Sequence, residues 1–274
     1  MTDIFKNNQR LKKTDLVISL DDRSFKFGDG CFETIPFYNQ KCFMFKEHLK
    51  RLEAGLRALH IDLDLKHIEV QAYTLIHDSD IQDGFVRVLC SRGEGSIGFL
   101  PSADCKAYYI IELVKRVGSL PSETKLFVSS YKRINPSQLP IHSKLNNGLN
   151  SVLARIEAKQ HGCFEALQLS EEGYVSEGSS SNICWLHGNR LYMPSESCNV
   201  LPGITQSVLE QISPIQIMKG EYRLKHVFDA DEVYLTNSAW EICPVHTIHG
   251  YKKVYETKMF KKLAVLFKRY RSSE

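Results

Sequence analysis

One break in the sequence constrains the rest. Residues 107–114 form a strongly apolar run of strand length. From Lys115 to Glu123 the chain then turns polar, with Gly118 and Pro121 in the middle. A shift of that kind marks a boundary between domains. It places a linker at 118–124, a first domain at 1–117 and a second at 125–274. A chain of 274 residues is long enough for two modest domains.

Each half mixes the two hydrophobic periods. In the first, residues 16–20 (Leu-Val-Ile-Ser-Leu) read as a strand, and Gly28 and Gly30 mark a turn whose backbone passes close to a neighbour. Two short runs, 35–38 and 42–45, suggest a hairpin about Asn39-Gln40. Leu49, Leu52, Leu56 and Leu59 keep close to helical period over 46–59. Arg51 sits on the edge of that face, where an arginine is usually solvated, and a functional reading needs an anion to receive its fork. A second helix covers 67–78 and a strand 85–90. In the second half, strands at 125–131, 165–169, 182–186, 190–194, 231–235 and 242–245 are interspersed with helices at 149–160, 206–212 and 256–271. The expectation is an α+β protein. The terminal helix is basic and amphipathic and reads as packed rather than as membrane-bound.

Composition narrows the function. Hydrophobic residues make up 43% and charged residues 24%, the balance of a soluble globular chain. A net charge of +3 is too small to argue for nucleic acid or membrane surfaces. The eight cysteines stand singly, mostly within apolar runs and with no CxxC pair, so free thiols are expected rather than disulfides or a metal site. There is no signal-like apolar segment at the start and no run long enough to span a bilayer, so the expected location is the cytoplasm. The glycine-rich segment 92–99 lacks the strand–loop–helix setting of a dinucleotide fingerprint.

Four places could carry chemistry. Lys144 lies in a polar loop. Glu177 lies beside a turn rich in serine. Gly203-Ile204-Thr205 precedes a helix, whose free N–H groups suit a phosphate. Thr236-Asn237-Ser238 ends a strand with two hydroxyls and an amide. Taken singly, the plainer readings are better: surface charges, an N-cap at Thr205, a turn at 236–238. Taken together with Arg51, they are the parts of a pyridoxal phosphate site, with an amine for the cofactor aldehyde and a carboxylate for its ring nitrogen.

The chain resembles the class IV aminotransferases, the fold-type IV pyridoxal phosphate enzymes. That family includes branched-chain and D-amino acid aminotransferases and 4-amino-4-deoxychorismate lyase. The resemblance runs through FGDGCFET (27–34), HLKRL (48–52), KLNNGLN (144–150), CFEALQL (163–169), EGSSSNI (177–183), LPGIT (201–205) and TNSAWEICPV (236–245). Several motifs in order are far more specific than any one. The resemblance implies a two-domain fold-type IV architecture like that of D-amino acid aminotransferase, with a smaller N-terminal α/β domain and a larger C-terminal mixed-sheet domain. It implies pyridoxal 5'-phosphate as cofactor and a homodimer as the assembly. Lys144 matches the catalytic Schiff-base lysine and Glu177 the partner of the pyridine nitrogen. Arg51, the amides of Ile204 and Thr205, Ser238 and Ser180 match the remaining cofactor contacts. Phe32, Ile97, Phe99 and Asn237 fall at substrate-binding positions. No metal is implied.

Two departures bear on substrate. The tyrosine that branched-chain aminotransferases place after the lysine is missing, because Gly148 follows Asn147. The arginine and histidine that D-amino acid aminotransferases carry after the RG pair are Ile97 and Phe99 here. The loop RGEGSIGF is similar to the RGxGxRGY pattern of the lyases but has Ile97 in place of its arginine. Arg92 or Lys26 is then expected to take over the substrate carboxylate, or the substrate differs. Another arginine of the family, after LPGIT, is Gln206 here. The expected activity is amino-group transfer between an amino acid and a 2-oxo acid, with aminodeoxychorismate cleavage as the alternative and a non-catalytic cofactor-binding protein as the remote one.

Overall fold

Alternation along residues 30–37 sends every second side chain into a core, and that core determines the first sheet. The computed structural model describes residues 3–95, 97–118 and 120–273. Its contacts divide into two units, Met1–Val117 with Ser143–Asn147, and Gly118–His142 with Gly148–Glu274. Ser96 and Ser119, which belong to the loop and the linker expected above, lie outside the described residues.

The first unit runs β1 (Asp3–Lys6), β2 (Gln9–Lys12), α1 (Arg23–Phe27), β3 (Gly30–Tyr38), β4 (Lys41–Cys42), α2 (Phe45–Ala58), α3 (Ile68–His77), β5 (Gly84–Ser91) and β6 (Tyr108–Lys115). The sheet order is β2-β1-β6-β5-β3-β4, and each neighbouring pair is antiparallel. Ile35, Phe37, Val86, Val88 and Ile111 leave the sheet on one face and meet Leu52 and Leu56 of α2 and Ile68 and Leu75 of α3. Glu33 leaves by that same face, a carboxylate among aliphatic side chains.

Several expectations change here. Residues 16–20 are irregular rather than a strand, with Val17 and Leu20 exposed. The strands of that region are β1 and β2, whose charged sequences lack a strand pattern; β1 is ordered by pairing with β6, and β2 by pairing with β1. Before the turn expected at Gly28 and Gly30 lies a short helix that was not expected, α1. Asp22 accepts from the Phe25 N–H at its start, and Gly28, at φ 69°, closes it in the left-handed region. Of the run 42–45 only Cys42 lies in a strand, because α2 begins at Phe45.

The second unit runs β7 (Lys125–Val128), α4 (Leu149–Gln160), β8 (Glu165–Leu169), β9 (Val175–Gly178), β10 (Asn182–His187), β11 (Arg190–Pro194), α5 (Ile204–Ile212), β12 (Gln216–Gly220), α6 (Leu224–Asp229), β13 (Glu232–Asn237), β14 (Glu241–Val245), β15 (Thr247–Ile248) and α7 (Lys258–Ser273). Two sheets result, β12-β11-β10-β13-β14 and β15-β7-β8-β9. Both are mixed: β11 and β12 pair in parallel, as do β7 and β8. Leu126, Leu167 and Val175 from one sheet and Ile183, Trp185, Val233 and Leu235 from the other share one core. Helix α7 buries Leu263 and Phe267. Its first turn is held by Glu232, which accepts from the N–H groups of Met259 and Phe260. Among the described residues no helix is long and apolar enough to cross a membrane.

Two further differences matter for the site. Glu177, read beside a turn, belongs to strand β9 and is buried. Residues 143–147, placed in the second domain by a single cut of the chain, pack with the first unit instead. The cause is hydrogen bonding to β3, described next.

Candidate active site

In the first unit the lysine segment behaves as an added edge strand. The Phe32 N–H donates to the Lys144 carbonyl at 2.9 Å, and the Asn146 N–H donates to the Gly30 carbonyl at 3.0 Å. Between them Cys31 and Leu145 form an antiparallel bridge. So β3 is bonded by β5 on one side and by residues 144–146 on the other. The Asn146 amide donates to Ser24 Oγ at 2.7 Å and that of Asn147 to the Phe27 carbonyl at 2.9 Å. Gly30 makes this possible. A Cβ there would stand 2.1 Å from the Cys90 carbonyl oxygen and 2.6 Å from Asn146 Nδ2. Lys144 is thereby held at its backbone. Its half-buried side chain puts Nζ 4.6 Å from the centre of the Phe32 ring.

Phe32 and Asn146 also line a cavity of about 380 Å³ on the outer face of the sheet. Leu89 and Ile110 make its wall apolar. Its polar corner is Asp22, which accepts from Ser91 Oγ and Tyr108 Oη, each at 2.8 Å.

Arg51 has its anion, and it is Glu33. Nε of Arg51 donates to one carboxylate oxygen at 2.6 Å and Nη2 to the other at 2.9 Å. His48 Nδ1 is 2.7 Å from the second oxygen. Burial alone would raise the Glu33 pKa, but the Arg51 charge and the His48 hydrogen bond outweigh it and bring the value down to about 2. Burial lowers the His48 pKa despite its bond to Glu33, so the imidazole is neutral and donates from Nδ1. Glu33 and His48 were not singled out from the sequence. The available signals were a carboxylate at an inward position of a strand and a histidine three residues before Arg51 on one helix face.

Arg92 and Lys26, expected as stand-ins for a substrate-binding arginine, are occupied. Arg92 clamps both oxygens of Asp29 at 2.7 and 3.0 Å and donates to the carbonyls of Leu59 and His60. Lys26 pairs with Asp21 at 2.6 Å. Ile97 and Phe99 are 90% and 87% exposed. Their loop is held from behind by the buried Arg23, which donates to the carbonyls of Gly98 and Phe99 at 2.9 and 2.6 Å.

The second unit holds the carboxylate. Glu177 pairs with Arg133 Nη2 at 2.7 Å and accepts from Asn182 Nδ2 at 3.0 Å and from the Leu201 N–H at 2.9 Å. Arg133 and Asn182 are further residues that the sequence reading did not mark. Asn182 links Glu177 to the start of α5, for a Cβ on Gly203 would fall 1.8 Å from its Oδ1. Gly203 is the N-cap of α5 in place of Thr205, and no side chain caps the helix. The N–H groups of its first turn, those of Ile204 and Thr205 among them, therefore lack a side-chain cap, as an anion site requires. Opposite Asn182 in the β10–β13 ladder stands Thr236, whose buried Oγ1 has no partner among the described residues. Next along, Asn237 donates to the Ser180 carbonyl at 3.0 Å, and its own amide oxygen accepts from Ala239 and Trp240. Ser238 sits in that turn. Ser180 donates its hydroxyl hydrogen to Glu165 at 2.8 Å. Gln206 is buried, with its amide against Met193.

These elements recur in known proteins. The amino-transferase class IV family pattern matches residues 30–248. A Methanocaldococcus jannaschii protein described as a candidate branched-chain-amino-acid aminotransferase is 31% identical over 90% of this chain and 88% of its own length. An aminodeoxychorismate lyase of Bacillus subtilis is also 31% identical, over 88% of this chain and 85% of its own. The crystal structure of the Escherichia coli branched-chain amino acid aminotransferase superposes over 98% of this chain and 94% of that one, with a TM-score of 0.92 at 24% identity, a likeness of fold. With a family pattern covering most of its length and two relatives at 31% identity, the chain belongs to the class IV aminotransferases and is an enzyme of that family.

Proposed function

We propose that this enzyme uses pyridoxal 5'-phosphate to transfer an amino group between an amino acid and a 2-oxo acid. The observation that carries the proposal is the lysine segment. The lysine segment is fixed to β3 by two backbone hydrogen bonds that form one antiparallel bridge, with the amine over the ring of Phe32, a residue that also lines a largely apolar cavity. A lysine serving only as a surface charge needs none of these.

The residues present fit the cofactor. The uncapped start of α5, the glycine packed against Asn182 and the buried, unpartnered Thr236 Oγ1 provide donors where a phosphate needs them. In the first unit Lys144 supplies the amine and Arg51, with its orientation set by Glu33, a phosphate contact. In the second, Ile204, Thr205 and Ser238 supply phosphate donors and Glu177 the carboxylate for the ring nitrogen, held in place by Arg133 and Asn182. When bound, the cofactor supplies an electron sink for the pair left as the substrate loses its α-proton. Lys144 Nζ then takes up and returns that proton. Glu177 would offer its carboxylate to the ring nitrogen, and Arg133 keeps that carboxylate oriented. Phe32, Leu89 and Ile110 give the cavity an apolar wall for a substrate side chain.

Transfer is favoured over aminodeoxychorismate cleavage because Ile97 replaces the arginine of the lyase pattern. The Bacillus subtilis relative keeps cleavage as the second reading. The assembly that fits the family is a homodimer. A reducing cytoplasm suits the eight free cysteines, six of them buried. A half-reaction screen tests the activity. Holoenzyme is mixed with L- and D-amino acids and separately with aminodeoxychorismate, and both the change in cofactor absorbance and the release of pyruvate are followed. Conversion by an amino acid without pyruvate release supports transfer. Pyruvate from aminodeoxychorismate alone overturns it in favour of the lyase.

A further inference from the structure

Glu165 is a second buried carboxylate in the second unit, and the chemistry described so far does not use it. Its side chain is wholly inaccessible. Removing a carboxylate from water costs several kcal/mol unless donors replace the lost solvation. Here the donors are unusual. Three consecutive serines turn their hydroxyls onto it: Ser179, Ser180 at 2.8 Å and Ser181 at 3.3 Å. The Ala166 N–H adds a fourth at 2.8 Å. Arg155 Nη1 stands 2.9 Å away as the counter-charge.

For three neighbouring side chains to reach one carboxylate, the backbone must wrap around it. It does: the Gly178 N–H donates to the Ser181 carbonyl and the Ser179 N–H to that of Ala166. A Cβ on Gly178 would lie 2.2 Å from Ser181 Oγ, so any larger residue there would push the Ser181 hydroxyl aside. This turn joins Glu177 to Asn182, the two residues that meet at the ring-nitrogen carboxylate.

The same carboxylate reaches the Ser238 turn by two routes. Through Ser180, the carbonyl next to the bonded hydroxyl accepts from Asn237 Nδ2 at 3.0 Å. Through Arg155, the guanidinium paired with Glu165 lies 5.2 Å from the Phe164 ring and 6.0 Å from that of Trp240, and these two rings meet at a tilt of 48° with centroids 4.7 Å apart. Asn237 and Trp240 bracket Ser238. A further consequence concerns Ser180. A hydroxyl whose only hydrogen goes to Glu165 has none to give a phosphate oxygen. Ser180 then serves through its position and its carbonyl rather than as a hydroxyl donor.

We propose that Glu165 is a positioning residue for the cofactor: by gathering Ser179–Ser181 and Arg155 it sets the Glu177 strand end and the Ser238 turn together, without touching the cofactor itself. This rests on the reading of Glu177 and Ser238 as cofactor residues.

The test is cofactor affinity, measured apart from activity. The full chain is stripped of cofactor, titrated with pyridoxal phosphate by absorbance, and melted without cofactor, as wild type and as Glu165→Gln. The variant keeps the volume but places an amide donor where at least one serine now donates. The expected result is a dissociation constant raised about tenfold or more, the loss of one charge-assisted hydrogen bond, measured well below the cofactor-free melting temperature, which itself falls because Arg155 loses its buried partner. An unchanged dissociation constant overturns the proposal whatever happens to the melting temperature, because Glu165 is then only a core residue. If Glu165→Gln does not fold, Asn237→Ala decides. It cuts the Ser180 route at a partly exposed turn, and a dissociation constant equal to wild type overturns the coupling. Failure of the wild-type chain to bind pyridoxal phosphate would instead overturn the proposed function.

Discussion

The N–H of Phe32 donates to the carbonyl of Lys144 at 2.9 Å, while the ring of the same Phe32 lies 4.6 Å from the lysine amine. One residue of β3 thus holds the lysine main chain and faces its side chain. Position and environment of the amine are fixed by the strand.

It follows that the Lys144 side chain can be removed without disturbing its segment. Lys144→Ala should lower single-turnover amino transfer by at least about 10³, with a melting temperature close to wild type. It should also abolish any cofactor absorbance that borohydride can bleach. Amino transfer within tenfold of wild type would show that another group acts on the substrate.

The Glu33–His48–Arg51 cluster makes an acid-sensitive fold. Glu33 titrates near 2 in the folded chain against an ordinary 4.5. The unfolded chain therefore binds a proton that the folded chain refuses, and the stability it contributes is complete above about 4.5 and disappears as the pH falls toward 2. His48 is lowered from an ordinary 6.5. The unfolded chain again takes up the proton first, so stability declines as the pH falls below 6.5. Both effects have the same sign. Glu33→Gln should cost about 3–5 kcal/mol at neutral pH, the effect of breaking a buried ion pair. It should also flatten the acid limb of a denaturation series between pH 4.5 and 2. A wild-type acid limb that survives in the variant would place its origin elsewhere.

Much of the fold was legible because its core positions recur at clean periods. Leu52 and Leu56 of α2 and the alternation along β5 are examples, and both end up in the core. What the sequence hid has a common physical cause. Strands β1 and β2 are polar and take their shape from pairing, β1 with β6 and β2 with β1. Residues 143–147 join the first unit through backbone hydrogen bonds, which carry no side-chain pattern. In the site, Lys144 and Glu177 were visible through their motifs. Their holders were less so, since Arg133 lies 44 positions from Glu177 and Glu33 lies 18 from Arg51. Partners that far apart in sequence meet only once strands and helices are assembled.

Gly203 offers a prediction about backbone approach. A Cβ there meets Asn182 Oδ1 at 1.8 Å, a distance no side chain tolerates, so either Asn182 or the start of α5 must shift. Asn182 is bonded to Glu177 and to the Leu201 carbonyl. Gly203→Ala should therefore destabilise by about 1–3 kcal/mol, as overpacking does, and should also weaken pyridoxal phosphate binding. Denaturant unfolding and an absorbance titration measure the two effects. A stability loss with full cofactor affinity would separate the start of α5 from the phosphate.

Ile97 is the position where the chain leaves the lyase pattern, and it is 90% exposed. The backbone beside it is fixed by Arg23 through the carbonyls of Gly98 and Phe99, so the loop keeps its path whatever side chain it bears. Ile97→Arg should change stability by no more than about 0.5 kcal/mol, as surface substitutions do. The arginine adds a planar donor pair suited to a carboxylate. If this loop selects substrate, the ratio of kcat/KM for a dicarboxylic over a monocarboxylic amino donor should rise about tenfold or more, the worth of one good charged hydrogen bond. The measurement is that ratio, taken at two salt concentrations. A gain that vanishes in salt reflects general attraction, because exposed charges are screened. An unchanged ratio means that selection lies in the apolar cavity of Phe32, Leu89 and Ile110 instead.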